Sequence, residues 1–233
     1  MDAKRPAAGL QTAVGNEILS ALLAVLVASA PATPGKETRL TNHEQAREMA
    51  SAQAKLIMQQ DPLILDTETT GLQGDAEICE IAVMDSHGRT LIDQLVNPVG
   101  SIPPEVTEIH GITNDEVDGA PGFEHLWPQL TTTLVGRTVV IFNSDFDLRL
   151  LRQSGKTAGV ADMGALHSIS RNTFCAMKLY AQYYGAWNRS RGSYAWQSLN
   201  AAGLQCGIAL PPDLHRARAD VALTLKVMEY MAG

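Results

Sequence analysis

The segment over residues 63–71 constrains the fold more than any other part of the chain, and it reads LILDTETTG. Its apolar run LIL predicts a short buried strand that leads directly into Asp66. Asp66 and Glu68 are two positions apart, so on a strand their side chains point to the same face of a sheet. Because neighbouring carboxylates repel each other, this arrangement favours a bound divalent cation. The alternative is a strand end whose two acids face water.

A second acidic segment, FNSDFD over residues 142–147, follows a predicted strand at residues 138–142 and stands where a helix is expected to begin. Asp145 and Asp147 are the two carboxylates of this segment, and the alternative for Asp145 is that it only favours the positive end of the helix. Ser144 and Asp147 also have the spacing of a capping box, which is the purely structural alternative.

The third segment, HRARAD over residues 215–220, leads into an apolar helical pattern. Five residues correspond to about 140° around an α-helix, so His215 and Asp220 do not share a face of one regular helix. We therefore expect His215 on the preceding loop and Asp220 on the first turns of the helix. The three segments together supply four carboxylates and one histidine at strand ends or helix starts. Such a set suits two hard cations about 4 Å apart and the hydrolysis of a phosphodiester.

The remaining pattern predicts a mixed β-sheet flanked by α-helices, an α/β fold. Apolar alternation predicts a hairpin of strands over residues 78–84 and 90–96. Helices are predicted over residues 43–60, 123–134, 145–153, 174–184, 196–202 and 218–231.

The charge is distributed unevenly along the chain. The net charge of -7 excludes a basic protein that coats nucleic acid through bulk charge. Residues 41–136 hold sixteen acidic and three basic residues, whereas residues 137–233 hold six and eleven, together with most of the aromatic residues. Cationic charge with exposed rings is typical of a groove for single-stranded nucleic acid, and the alternative is that most of these rings are core.

Residues 1–40 differ in composition and are interpreted as an N-terminal extension to a domain over residues 41–233. An apolar stretch at residues 18–30 follows Lys4 and Arg5 and precedes a Pro/Gly linker, which resembles a secretory signal. The stretch is shorter than the ~18 residues of a membrane span, so no stable membrane insertion is expected. Three scattered cysteines indicate a reducing compartment, and we expect a cytoplasmic location. Export or anchoring in the envelope through residues 1–30 is the alternative.

These motifs are familiar together. DTETTG, FNSDFD and HRARAD resemble the three exonuclease motifs of the DnaQ-like, or DEDDh, 3′→5′ exonucleases, the family that includes the epsilon proofreading subunit of bacterial DNA polymerase III. The segment IHGIT at residues 109–113 and the stretch over residues 175–199 are similar to further parts of that family. The resemblance covers residues 41–233. One departure is Phe142, where the family usually has histidine.

The resemblance implies a ribonuclease H-like fold and two divalent cations, Mg²⁺ or alternatively Mn²⁺. It implies a general base at His215 and contacts with the terminal nucleotide at Thr69 and Leu72. His110 and Asn143 are further candidates on the substrate side of the site. The implied metal ligands, which are catalytic residues together with His215, are Asp66, Glu68, Asp147 and Asp220.

The expected activity is removal of nucleoside 5′-monophosphates from single-stranded or frayed DNA 3′ ends, by an enzyme that acts alone or with a polymerase or replisome partner. Trimming of RNA 3′ ends is the alternative within the same enzyme class. A nucleic-acid-binding module without activity is the alternative outside it, and the presence of the expected residue at all five catalytic positions argues against that module.

Overall fold

A computed structural model describes residues 42–233 of the chain. The predictions for the N-terminal extension at residues 1–40 lie outside the described residues. Within residues 42–233, none of the helices has the length and apolar character that crossing a membrane requires.

A mixed sheet of five strands forms the centre of the fold, as the sequence predicts. The order across the sheet is β3-β2-β1-β4-β5. Strands β1, β2 and β3 pair antiparallel, whereas β4 and β5 run parallel to β1. Strand β1 is central in the sheet and pairs with β2 on one side and β4 on the other. The strands are β1 Leu63–Thr69, β2 Ile78–Asp85, β3 Thr90–Leu95, β4 Val139–Ile141 and β5 Thr173–Cys175.

Helices cover both faces of this sheet, and a small separate ribbon lies outside it. The ribbon consists of β6 (Trp187–Asn188) and β7 (Ser193–Tyr194), which pair antiparallel. The helices are α1 Asn42–Met58, α2 Pro104–His110, α3 Asn114–Val117, α4 Phe123–Leu134, α5 Ser144–Thr157, α6 Gly164–Arg171, α7 Ala176–Tyr184, α8 Leu199–Gln205 and α9 Ala217–Ala232.

Alternation along the strands divides the core into two layers. Ile64 of β1 and Ala82 of β2 pack with α1, α7 and α9 on one face of the sheet. Leu65 and Val83, one position further on, pack with α4, α5 and α6 on the other face. Since side chains alternate along a strand, even-numbered residues of β1 face α9 and odd-numbered residues of β1 face α5. Glu80, Ala82 and Met84 of β2 face the α9 side as well. This alternation decides which acids of the motif can meet.

Several predicted boundaries were wrong, each for a local reason. β1 extends to Thr69 because its pairing with β2 continues beyond the apolar run, so Asp66 and Glu68 lie within the strand. The predicted helix at residues 174–184 instead begins at Ala176, because its first residues pair with β4 as strand β5. The predicted helix at residues 196–202 begins later, at Leu199, where the Ser198 hydroxyl accepts a hydrogen bond from the amide of Ala201.

Candidate active site

Three carboxylates meet between the centre of the sheet and α9. Asp66 and Glu68 share the face of β1 that turns toward α9, as their spacing predicts. Asp220 lies on the first turn of α9, which begins at Ala217. One ligand oxygen from each of the three carboxylates lies within 4.8 Å of the others, and all three residues are half-buried.

The cluster is electrostatically strained in the absence of a cation. Burial and then the charge of Asp220 raise the pKa of Glu68 to about 8. Burial, followed by the charge of Asp147, raises the pKa of Asp66 well above its usual range, and burial also raises the pKa of Asp220. Among the described residues, the buried Oδ1 of Asp220 has no hydrogen-bond partner. An unpartnered carboxylate oxygen beside two other carboxylates fits the oxygen ligand set that a hard divalent cation requires.

Asp147 reaches the same region from the other face of the sheet. It lies on the first turn of α5, is 3% exposed, and accepts a hydrogen bond of 2.8 Å from the hydroxyl of Thr67. Burial raises the pKa of Asp147 to about 7. Its charge acts on both Asp66 and Glu68, so Asp147 lies near the group of three carboxylates.

The capping-box alternative for this segment is wrong. Helix α5 begins at Ser144 itself, and its N-cap is Asn143, which makes no side-chain cap and has a left-handed backbone with φ of 72°. Asn143 is half-buried at the carboxyl end of β4, next to the start of α5. Phe142, where the family usually has histidine, packs into the core on the α9 side of the sheet.

His215 lies on the loop before α9, as predicted, and its side chain is exposed. Its backbone is left-handed, with φ of 61°. The His215 backbone donates a hydrogen bond to Asp220, and a charged imidazole would lower the pKa of that carboxyl. The histidine therefore adjoins the acidic cluster while remaining open to solvent.

The predicted nucleotide contacts lie at the end of β1 and in the loop that follows it. The hydroxyl of Thr69 is buried and donates to the carbonyl of Gly71 at 2.9 Å. Leu72 is 73% exposed, although its backbone is held, because the Arg149 guanidinium donates to its carbonyl at 3.3 Å. The leucine side chain therefore projects outward from a fixed loop.

His110 is buried and forms a hydrogen bond to the backbone where this loop begins. Its Nδ1 accepts the amide of Ile112 at 3.0 Å, so Nε2 carries the proton and donates to the carbonyl of Thr69 at 3.2 Å. Burial lowers the pKa of this imidazole, which favours the neutral form that the two hydrogen bonds require. His110 therefore anchors the residue that begins the loop and does not itself lie at the surface.

The aromatic residues of the C-terminal half divide between core and surface. Tyr180 is buried, whereas Trp187 and Trp196 are 50% and 60% exposed. Arg189 and Arg191 are exposed in the turn of the β6–β7 ribbon. Some of these rings are therefore core residues and others are exposed, and the nucleic-acid groove stays a prediction.

Two residues that contact this region were not found as site residues by sequence reasoning. Glu80 faces α9 from β2 and forms an ion pair with Arg216, at 2.6 Å between Oε1 and Nη2. The available signal was an acid within the otherwise apolar segment ICEIAVM, a position that requires a partner when it is buried.

The fold and the site define the class of protein. Three carboxylates from β1 and α9 meet beside the centre of a mixed sheet, with Asp147 of α5 and the loop histidine His215 nearby, an arrangement suited to metal-dependent hydrolysis of phosphodiesters. Residues 63–228 match the family described as Exonuclease (RNase_T). The chain belongs to this family of DnaQ-like, or DEDDh, exonucleases, and the protein is an exonuclease.

Individual relatives agree with this membership. The chain is 38% identical over 182 residues to the "Uncharacterized exonuclease CP81" of Escherichia phage 186, covering 78% of this chain and 93% of that protein. It is 32% identical over 170 residues to a "DNA polymerase III subunit epsilon-like protein" of Rhodobacter capsulatus, covering 70% of this chain but only 22% of that protein.

The fold likewise matches that of solved nucleases. The nuclease domain of 3′hExo, a DEDDh family member bound to rAMP, superimposes with a TM-score of 0.57 at 17% identity and covers 72% of this chain and 89% of that domain. The five-stranded mixed sheet with its flanking helices is thus the ribonuclease H-like architecture of these exonucleases.

Proposed function

We propose that the protein is a Mg²⁺-dependent 3′→5′ exonuclease that removes nucleoside 5′-monophosphates from single-stranded or frayed DNA ends. The observation that carries this proposal is the group of three carboxylates within 4.8 Å of one another, one of which has a buried oxygen without a hydrogen-bond partner. Four carboxylates crowded in a half-buried site repel each other strongly unless cations neutralise them.

In this proposal Asp66, Glu68 and Asp220 hold one cation, and Asp147 together with Asp66 holds a second. Bound Mg²⁺, or Mn²⁺ in its place, would polarise the phosphodiester and lower the pKa of the attacking water. The protein fixes these ligands through rigid elements, since β1 lies at the centre of the sheet and α9 packs on it.

His215 takes the proton from the attacking water. Its exposed imidazole beside Asp220 supports this role, because a base must reach a solvent-derived nucleophile while remaining close to the reacting phosphate.

Leu72 packs against the terminal base, and Thr69 and Asn143 line the pocket for that nucleotide. The exposure of Leu72 on a loop held by Arg149 supports an apolar contact that is presented to the substrate and costs little ordering on binding. His110 positions this loop through the carbonyl of Thr69.

The proposed setting is a cytoplasmic enzyme that acts alone, and the three free cysteines agree with a reducing compartment. Association with a polymerase is the alternative, which the name of the Rhodobacter capsulatus relative supports. The phage relative carries the name of an exonuclease alone.

The test uses 5′-labelled single-stranded DNA and an RNA of the same sequence, each with Mg²⁺ and with EDTA. We expect a ladder that shortens from the 3′ end of DNA, is abolished by EDTA and by Asp66→Ala, and is unchanged by Asp145→Ala as an exposed control. If only the RNA strand were cleaved, the proposed substrate would be RNA and not DNA. Binding without cleavage of either strand would contradict the catalytic proposal.

A further inference from the structure

Glu80 is a buried carboxylate that no part of the proposed chemistry uses. It lies on β2 directly opposite Glu68 in the strand register and is 3% exposed. A fifth carboxylate next to an acidic cluster raises the repulsion there, and its charge indeed acts on Glu68, Asp66 and Asp220. A buried Glu80 carboxylate therefore requires a contact that compensates for this repulsion.

That contact is the start of α9. The Arg216 guanidinium donates to Glu80 from Nη2 at 2.6 Å and from Nε at 3.0 Å, while the backbone amide of Ala217 donates to the other carboxylate oxygen at 2.8 Å. Arg216, as the N-cap of α9, provides no side-chain cap of its own. Glu80 therefore caps α9 from a different element, where a negative charge also suits the positive end of the helix.

The residues held in this way lie between the two functional groups of the third motif. His215 immediately precedes Arg216, and its left-handed backbone, with φ of 61°, is a conformation that a residue with a Cβ atom adopts only when its surroundings impose it. Asp220 follows one turn later on α9. Fixing Arg216 and Ala217 to the sheet consequently fixes both the imidazole and the carboxylate relative to Asp66 and Glu68.

We propose that Glu80 and Arg216 form a clamp that positions His215 and Asp220 over β1 for metal binding and catalysis. The pair acts through its neighbours, so both members are positioning residues. This inference rests on the proposed function for the roles of His215 and Asp220.

The chain offers a matched control on the same strand. Asp85, at the other end of β2, is also buried, pairs with Arg89 at 2.7 Å between Oδ2 and Nε, and accepts two backbone amides. Asp85→Asn therefore removes a comparable arginine–carboxylate pair, with a more exposed arginine, far along the strand from the cluster. Glu80→Gln and Asp85→Asn should both lower the unfolding temperature, because each leaves a charged arginine without its carboxylate.

Only Glu80→Gln should impair the site. At a temperature where both variants are folded, we expect its kcat on the labelled strand to fall about tenfold to a hundredfold with KM nearly unchanged. Its affinity for Mn²⁺, measured by titration calorimetry without substrate, should fall by about tenfold or more. Asp85→Asn should retain wild-type kcat and Mn²⁺ affinity.

Arg216→Lys is the second, milder variant, since lysine keeps the charge but not the two-point geometry. We expect it to lose kcat as well, and wild-type kcat in Arg216→Lys would overturn the clamp. Equal kcat and Mn²⁺ affinity in Glu80→Gln and Asp85→Asn would also overturn it. Wild-type protein that binds Mn²⁺ but cleaves nothing would contradict the proposed function, while weaker Mn²⁺ binding by Glu80→Gln would still support the clamp.

Discussion

Asp145 and Asp147 are two residues apart and have opposite surroundings. Asp145 is exposed and pairs with Lys178 at 2.6 Å, whereas Asp147 is buried against Thr67 beside the cluster. We expect Asp147→Asn to lower kcat by about a hundredfold or more, because a proposed metal ligand loses its charge. Asp145→Asn should stay within about twofold of wild type, since exposed ion pairs contribute little. Steady-state rates on a labelled strand compare the two variants. A larger loss of kcat in Asp145→Asn than in Asp147→Asn would show that the second motif is misaligned.

The acidic cluster also predicts how the metal-free protein responds to pH. The pKa of Glu68 is about 8 in the folded chain and ordinarily 4.5, so the folded protein binds this proton more tightly than the unfolded chain does. The resulting stability is complete below pH 4.5 and is lost as the pH rises toward 8. We expect the unfolding temperature in EDTA to be about 5 °C or more lower at high than at low pH within the window from 5.5 to 8.5.

Two controls make this pH dependence specific. Glu68→Gln should flatten the profile, whereas Glu108→Gln, at an exposed glutamate on α2, should leave it unchanged. Saturating Mn²⁺ should reverse the trend, because the metal binds the deprotonated carboxylates. A flat wild-type profile in EDTA would contradict the raised pKa values.

At the scale of elements, the loop after β1 depends on α5 for its shape. Arg149 stacks over the ring of Phe146, with its guanidinium carbon 5.1 Å from the ring centroid, and donates to the carbonyls of Leu72 and Gln73. We expect Arg149→Ala to raise KM for DNA about threefold to tenfold with a smaller effect on kcat, because the loop must then be ordered on binding. Arg152→Ala, on an exposed position of the same helix, is the control. Equal KM values in the two variants would show that the loop carrying Leu72 does not contribute to DNA binding.

The elements that the sequence predicts well are those with a long periodic signal or a local motif. The β2–β3 hairpin and helices α4 and α9 have such a signal, and the i, i+2 spacing of Asp66 and Glu68 alone placed both on one face. Strand β5 is three residues long and exists only because β4 lies beside it. The role of Glu80 also could not be predicted from the sequence. Its partner Arg216 is 136 residues away, and a local sequence pattern carries no information about a contact over that separation.

At the scale of the whole molecule, helix α1 belongs to the folded unit. Ala50, Ala54 and Ile57 of α1 are buried in the layer that contains α7 and α9. We expect deletion of residues 1–40 to change the unfolding temperature by less than about 3 °C and to leave nuclease activity intact. Deletion of residues 1–60 should lower it by about 5 °C or more, because it uncovers the apolar face beneath α1. Thermal unfolding and the strand-shortening assay test both deletions. If deletion of residues 1–40 already unfolded the protein, the domain would have to begin before residue 41.

Helix α9 is the last element of the described chain; it supplies Asp220, and it begins directly after Arg216, the partner of Glu80. A ribosome delivers the chain from its N-terminus, so Asp66, Glu68 and Asp147 emerge before Asp220 does. Until α9 docks, the growing chain has an incomplete set of ligands and a histidine that nothing holds in place. In the proposed function, cleavage therefore requires that α9 has left the ribosome and docked, so a nascent chain that stops before α9 should not cut nucleic acid.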